Sequence, residues 1–248
     1  MRIQLLLIVL AILGSCKGKD RSHSARGNTQ GIAPGDTIFW TDDSLYTTQR
    51  SSMFGMDTLS VCDSSRNLTI TLRYPETGNQ AVDDKILAGL NRQKNSFTAD
   101  LDYMLSGDSL IAQSWRSGFD AELVSYYQDD RIISALFRMV YYHPGAAHPM
   151  TQYQTFNFDG KSLKSILFDE YFSIESAKDT GQMAQLIRKR TNRSGICLSP
   201  LSQMDFNIER DTISFNFDTY ETGSYVEGAI RAKVERKLLD EFIRLSFF

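Results

Sequence analysis

The sequence predicts an α+β domain, in which helices pack on a mainly antiparallel sheet. Two observations lead to this prediction. Apolar residues alternate with polar ones along strand-like segments that short turns join into hairpins, and one long intervening segment repeats its apolar residues about every four positions. No repeat with a period of 20–50 residues is present, which excludes a solenoid or a propeller.

The first predicted strands precede the long helix. Strand-like pieces lie within residues 36–50 and 57–62, between turn residues. Residues 68–73 then alternate strictly between apolar and polar side chains, as a half-buried strand does, and Pro75 is expected to end that strand.

A helix is expected next. Asn79 is a suitable N-cap, Asp83 and Asp84 suit the first turn, and Gly107 with Asp108 should end the helix. The apolar positions that define its buried face are Val82, Ile86, Leu90, Phe97, Leu101 and Leu105.

A hairpin follows the helix. Its strands are residues 119–128 and 131–142, and Asp129-Asp130 forms the turn. The second strand is apolar on both faces, so it should lie inside the sheet. A loop over residues 143–149 then leads to a strand at 151–158.

The C-terminal segments complete the domain. A helix is predicted from about Ser176 to Thr191, with Gly195 as its stop. We expect the side chains of Met183, Leu186 and Ile187 to be buried. A second hairpin (205–209 and 212–218), a strand (229–234) and a last helix carrying Leu238, Leu239, Phe242 and Ile243 should follow.

The composition is that of a globular protein. Hydrophobic residues make up 42% of the 248 and charged residues 23%, which argues against a disordered chain. The net charge of -3 provides no basic surface for nucleic acid, so no nucleic-acid partner is expected.

The N-terminus has the pattern of an export signal. Arg2 precedes the apolar run Leu5–Leu13, which is too short to span a bilayer as a mature helix. The run ends in Leu-Gly-Ser before Cys16, which resembles the bacterial lipobox. That resemblance implies cleavage before Cys16 and its lipidation; the alternative is an ordinary signal peptide.

These features predict a division of the chain. Residues 1–15 would be the signal peptide, 16–35 a flexible tether rich in Ser, Gly and Lys, and 36–248 the folded domain. The protein would then be anchored to the lipid bilayer of a bacterial cell envelope through Cys16, on the periplasmic or the surface side of the outer membrane.

Two cysteines remain beyond Cys16. In an oxidising compartment Cys62 and Cys197 could form a disulfide, or they could be two buried free thiols. The sequence leaves both alternatives open, because it does not give the distance between them.

The central region resembles a known family. The strand entering Tyr142-His143-Pro144-Gly145-Ala146-Ala147-His148, the hairpin at 155–163 and the segment 166–172 resemble the domain-of-unknown-function 3298 family. The resemblance extends to the C-terminal hairpin at residues 206–217 and to Tyr220, Gly228 and Leu238. Residues 57–128 are similar to the companion 4163 family, so the resemblance divides the domain into 57–128 and 129–248.

The resemblance implies a cell-envelope protein. One related architecture is an extracellular sensor that binds lysozyme, and another is appended to a wall-polysaccharide deacetylase whose catalytic domain is separate. A lysozyme-like envelope protein or peptidoglycan is therefore the expected partner.

The sequence offers little for catalysis. His143 and His148 could form a metal site with acidic residues, but a structural role for this loop is favoured, because its prolines prevent the helix that would align them. The acidic pairs Asp83-Asp84, Asp129-Asp130 and Asp169-Glu170 suit helix starts and turns. No nucleophile elbow, phosphate-binding loop or dinucleotide-binding loop is present. We expect no cofactor, no metal and no enzymatic activity.

The tyrosines favour a binding role over a catalytic one. Several fall on strands or adjoining loops, where they serve either core packing or a partner-binding face. The predicted partner-binding loop comprises His143, His148, Tyr142, Tyr153 and Tyr225. The predicted function is a non-catalytic envelope lipoprotein that binds a protein or a wall glycan. The alternative is an envelope hydrolase acting on a wall polysaccharide.

Overall fold

A computed structural model describes residues 36–39, 55–106, 116–191 and 204–244. The strands are β1 Asp36–Phe39, β2 Gly55–Asp63, β3 Leu68–Glu76, β4 Ser117–Gln128, β5 Ile132–Tyr142, β6 Met150–Asp159, β7 Asp205–Ile208, β8 Thr212–Phe217 and β9 Ile230–Glu235. The helices are α1 Gln80–Ser106, α2 Phe168–Tyr171 and α3 Ala177–Thr191, with short 3-10 turns at Tyr225–Glu227, Arg236–Leu238 and Asp240–Phe242.

Two sheets build the fold. The larger has the order β2-β3-β4-β5-β6, and β1 pairs with the C-terminal half of β4. Among the described strands, only β3 and β4 pair in parallel, because α1 connects them and brings the chain back to the end of the sheet at which β3 begins. The smaller sheet has the order β7-β8-β9 and is antiparallel. The α+β class and the interior position of β5 are therefore confirmed.

One face of the larger sheet, called here the inner face, packs on α1. The alternation predicted for residues 68–73 is confirmed, since Leu68, Ile70 and Leu72 are buried on this face. The close approach of α1 requires Gly89, because a Cβ there would lie 2.2 Å from Cε1 of Phe156. The helix residues that complete this core are Val82, Ile86, Leu90, Phe97 and Leu101.

The start of α1 is built as predicted. Oδ1 of Asn79 accepts the backbone N–H groups of Ala81 at 3.1 Å and Val82 at 3.4 Å. Asp83 accepts the backbone N–H and the hydroxyl of Thr77, the latter at 2.7 Å. The Asn79 bonds satisfy donors that the first turn of a helix leaves unpaired, and the Asp83 bonds tie that turn to the segment before it.

The opposite, outer face of the larger sheet carries the smaller sheet over part of its area. Tyr127 and Ile132 join the apolar core that the smaller sheet forms with α2, α3 and the C-terminal turns. In α3, Met183 and Ile187 are buried as predicted, whereas Leu186 is half-buried.

Buried polar side chains also join the two sheets. Oγ of Ser134 accepts the backbone N–H of Ile208 at 2.8 Å and donates to Oδ1 of Asn157 at 2.7 Å. Nδ2 of Asn157 donates to the carbonyl of Phe206 at 2.8 Å, and Nδ2 of Asn207 donates to Oγ of Ser125 at 3.1 Å. These bonds set the position of the smaller sheet on the larger one.

Two predictions about secondary structure were wrong, one about where a strand ends and one about the last helix. The strand β3 continues past Pro75 to Glu76, because it pairs with the edge strand β2. The predicted last helix is instead two 3-10 turns. Its backbone is used in tertiary contacts, since Ser173 donates to the carbonyl of Phe242 at 2.7 Å and Arg244 donates to that of Tyr171 at 3.0 Å.

Candidate functional site

The loop between β5 and β6 bends sharply at residues 143–146. The backbone N–H of Ala146 donates to the carbonyl of His143 at 3.1 Å, and Gly145 has a φ of 77°, a conformation that favours glycine. The hydroxyl of Tyr142 donates to the carbonyl of Ala146 at 2.7 Å and holds the loop against the end of β5.

His143 turns towards the helix side of the sheet. Its ring centroid lies 4.8 Å from that of Phe97 and 5.6 Å from that of Tyr141. Burial lowers the pKa of His143, and the charge of Asp100 opposes that shift. A neutral imidazole packed against α1 fits a structural role.

His148 lies with two tyrosines of the segment that follows β8. Its ring stacks on Tyr225 with centroids 3.4 Å apart and planes 16° apart. The hydroxyl of Tyr220 lies 3.2 Å from Nε2 of His148. Tyr220 is 52% exposed and has a φ of 72°, which is uncommon for a non-glycine residue. We call His148, Tyr220 and Tyr225 the aromatic cluster.

The segment that carries these tyrosines is bonded to the edge strand β6. The backbone N–H of Thr219 donates to the carbonyl of Thr151 at 3.1 Å, and the backbone N–H of Tyr153 donates to Oδ1 of Asp218 at 2.8 Å. Polar groups of an edge strand that would otherwise face solvent are thereby occupied. Tyr153 itself is half-exposed on β6, opposite Arg138 of β5.

Three carboxylates meet at this junction. Burial, assisted by the neighbouring charges of Asp205 and Glu221, raises the pKa of Asp218 to about 6. Desolvation of the carboxyl group, assisted by the charge of Glu221, also raises the pKa of Asp205, an exposed residue at the start of β7 whose Oδ1 accepts the hydroxyl of Thr155 at 3.2 Å. This group could not be predicted from the sequence, because its members lie on separate segments and carry no common local pattern.

The predicted acidic pairs lie at turns and helix starts. Oδ1 of Asp129 accepts the backbone N–H groups of Arg131 and Ile132 at 2.8 and 2.7 Å. Oε2 of Glu170 accepts the backbone N–H of Leu167 at 2.8 Å, just before α2. With Asp83 bound to Thr77, each pair contributes local hydrogen bonds.

The part of the outer face that the smaller sheet leaves open contains a groove of about 360 Å³. Strands β3, β4 and β5 form it, and Pro149 of the loop also lines it. Tyr142 is therefore part of this groove, whereas His148 and Tyr225 belong to the aromatic cluster. The lining residues are Thr69, Thr71, Arg116, Ser117, Gly118, Phe119, Asp120, Val140, Tyr142 and Pro149.

Of the three cysteines, only Cys62 lies within the described residues. Cys62 is exposed on β2, while Cys16 and Cys197 lie outside the described ranges. The disulfide, the lipidation, the signal peptide and the tether therefore stay predictions.

The described residues contain neither a membrane-spanning helix nor a cluster of metal-binding side chains. In those ranges no helix combines the length and the apolar character needed to cross a membrane. Within the same part of the chain, His, Cys, Asp and Glu side chains form no group of three or more that could hold a metal ion.

Comparisons with known proteins identify the fold. No family model matches the sequence, and no curated protein matches it. Two solved structures are similar. A domain-of-unknown-function 3298 family member from Bacteroides fragilis has a TM-score of 0.53 at 14% identity, covering 77% of this chain and 94% of that one. A family protein from Pseudomonas aeruginosa has a TM-score of 0.52 at 12% identity, covering 79% and 96%. The resemblance to the 3298 family is thereby confirmed, because this chain has the fold of the domain-of-unknown-function 3298 proteins. The similarity of residues 57–128 to the 4163 family stays a prediction.

Proposed function

We propose that this protein is a lipoprotein of the bacterial cell envelope, anchored through Cys16, whose domain binds a protein or a wall glycan without catalysing a reaction. The single observation that carries the binding role is the open part of the outer face together with the aromatic cluster, whose His148 directly precedes Pro149 of the groove. Tyr142 and Tyr153 are half-buried there and keep part of their surface exposed, and Tyr220 is 52% exposed. Rigid, amphipathic side chains of this kind are common anchors of binding surfaces.

The aromatic cluster is pre-organised for contact with a partner. Stacking of His148 on Tyr225 and the bonds of Thr219 to β6 hold it in place before any partner arrives. Val226 beside it is 93% exposed, and so is available to a partner at no cost in native packing. Pre-organisation reduces the entropy lost on binding.

The binding role is tested with the full chain in detergent, against lysozyme and against solubilised peptidoglycan fragments. We expect saturable binding to one of them, weakened about tenfold or more by Tyr220→Ala or Val226→Asp. Tyr103→Ala is the matched control, because Tyr103 is 82% exposed on α1, which packs on the inner face. Absence of binding to both classes, or equal loss in the control, would contradict the proposal.

The anchor is tested separately by intact-mass spectrometry of protein purified from membranes. We expect a mature chain that begins at Cys16 and carries acyl chains, and a Cys16→Ser variant that is not acylated. A chain cleaved at another residue, or one without lipid, would contradict the anchored localisation.

A hydrolase is the second candidate, and the carboxylates Asp205 and Asp218 favour it. Neighbouring acidic groups with raised pKa values are a feature of general acid catalysis in glycosidases. If this candidate holds, wild-type protein releases reducing ends from peptidoglycan and Asp218→Asn does not. If both are inactive, the hydrolase is excluded and the binding proposal is unaffected.

A further inference from the structure

The groove on the outer face forms around a position that lacks a side chain. Gly118 of β4 lies opposite Thr69 of β3 on one side and opposite Tyr142 of β5 on the other. The groove lies between these two side chains and has a volume of about 360 Å³. This volume is near the lower end of the range of about 300–1,000 Å³ that is typical of small-ligand sites.

Most of the surface that lines the groove is apolar. Val140 and Tyr142 of β5 contribute to it, and so does Pro149 of the loop. The hydroxyl of Tyr142 donates to the carbonyl of Ala146 at 2.7 Å, so the polar group of this side chain already has a partner in the loop. A lining of this kind favours the apolar body of a ligand, because burial of apolar surface is favourable and burial of unpaired hydroxyl groups is costly.

The charged side chains around the groove leave one positive charge without a partner. Asp120 of β4 binds Nη1 of Arg73 at 2.9 Å. Glu122 pairs with Arg73 at 3.6 Å and also with Arg138. These two carboxylates and two guanidinium groups neutralise one another. Arg116 is exposed, lines the groove and forms no ion pair with any of the described residues.

This unpaired charge lies at one end of the groove. Arg116 and Asp120 both line the groove and are four positions apart, about 13 Å in an extended strand, with Gly118 midway between them. Because Arg73 neutralises Asp120, only the end at Arg116 attracts a charged group. A guanidinium group can bind a carboxylate through two parallel N–H groups. The groove therefore combines an apolar middle with one cationic end.

We infer that this groove binds an apolar monocarboxylate, with the carboxylate on Arg116 and the apolar body over Gly118, against Tyr142 and Val140. The inference goes beyond the proposed function, because it concerns a small ligand and requires neither a protein nor a glycan partner. The aromatic cluster remains available for such a partner.

The charge preference is tested with the full chain in a nonionic detergent, titrated at pH 7.5 with 2-naphthoate, 2-naphthamide and 2-naphthylmethylammonium. These probes share one ring system and differ in charge, and micelles alone are the blank. We expect saturable binding of naphthoate by calorimetry, about tenfold tighter than that of the neutral amide, with the cation weakest. The difference should shrink at 1 M salt, since ions screen an exposed charge. No binding of naphthoate, equal binding of naphthoate and amide, or tighter binding of the cation would overturn the inference.

The role of Arg116 is tested by removing its charge. Arg116→Gln should weaken the binding of naphthoate about tenfold and leave that of naphthamide unchanged. Arg131→Gln is the matched control, because Arg131 is exposed in the turn before β5, does not line the groove and forms no ion pair within the described part of the chain. Unchanged binding of naphthoate by Arg116→Gln, or an equal loss in the control, would overturn the inference.

The apolar part of the site is located by filling it. A Cβ at Gly118 would meet only the carbonyl of Thr69, at 3.7 Å, so Gly118→Leu should fold and should weaken the binding of both naphthoate and naphthamide about tenfold or more. Thr58→Leu is the control, because Thr58 is exposed on β2 and does not line the groove. Unchanged binding in a folded Gly118→Leu variant would overturn the assignment to this groove. If that variant does not fold, the result with Arg116→Gln decides.

The failure of this inference can be distinguished from that of the proposed function. If naphthoate does not bind but lysozyme or peptidoglycan does, and Tyr220→Ala weakens that binding, the inference fails and the proposed function stands. If naphthoate binds and depends on Arg116, whereas lysozyme and peptidoglycan both fail to bind, the inference stands and the proposed function fails.

Discussion

The two faces of the larger sheet use different chemistry. On the inner face, α1 covers β3 to β6 with apolar side chains, and Gly89 allows it to lie directly on Phe156. On the outer face, buried serine and asparagine side chains join the sheet to β7, and the other described elements leave the remaining area open. The comparison teaches that apolar packing gives this domain its stability, whereas polar positions decide where the second sheet docks and which surface remains for a ligand.

The largest effect is expected on the inner face. Leu90→Ala should lower the free energy of unfolding by about 3 kcal/mol, because Leu90 is fully buried and its loss leaves a cavity. Leu167→Ala, at a leucine that is 63% exposed, should cost well under about 1 kcal/mol. Urea denaturation measures both. Equal losses would contradict the inner-face core.

The next effect concerns the polar junction of the outer face. Ser134→Ala should cost about 2 kcal/mol, because the buried N–H of Ile208 and the amide of Asn157 lose a partner. Ser60→Ala, at an exposed serine on β2, is the control and should change the unfolding free energy little. If the unfolding free energies of both variants equal that of the wild type, the polar junction does not stabilise the domain.

A smaller effect, which depends on pH, is expected at Asp218. The folded-state pKa of about 6 lies above the value of about 4 of an unfolded aspartate, so the folded state binds the proton more tightly. The stabilisation is complete below about pH 4 and is lost as the pH rises through 6. Asp218→Asn should therefore be more stable than the wild type at pH 7.5, by about 1 kcal/mol because partial solvent contact reduces the effect.

Thermal unfolding between pH 4 and 8 measures this difference. Asp130→Asn removes a carboxylate from an exposed turn position and controls for net charge. A difference between Asp218→Asn and wild type that is constant over this range would contradict the raised pKa of Asp218.

The smallest effect is expected in the open part of the outer face. Arg73 is exposed and pairs with Asp120 at 2.9 Å and Glu122 at 3.6 Å. Arg73→Ala should cost less than about 0.5 kcal/mol at low salt and nothing at 1 M salt, since solvent and ions screen exposed pairs. A loss above about 1 kcal/mol, typical of a partly buried pair, would show that this region is more enclosed than the structure indicates.

Prediction from the sequence succeeded for elements whose structure depends on residues close in the chain. The helix α1, its Asn79 cap and the interior strand β5 follow from spacing and from local hydrogen bonds. It failed for the last helix, because the carbonyl of Phe242 accepts from Ser173, a residue distant in the chain. Local propensity gives way to tertiary contacts at such a place.

In the candidate site, too, contacts between segments distant in the chain could not be predicted from the sequence. Tyr225 and His148 were predicted to belong together and do stack, but His143 lies apart from them against Phe97. The carboxylates around Asp218 escaped the analysis, because they meet only when β7 and β8 dock beside β6.

The sequence by itself determined which residues share a face, the α+β class and the pattern of an export signal. Periodicity carries this information, because side-chain direction repeats with the backbone. Only the tertiary structure decided which area of the outer face is covered, where the groove lies and which tyrosines meet His148. These depend on contacts between segments far apart in the chain, and no local pattern specifies such contacts.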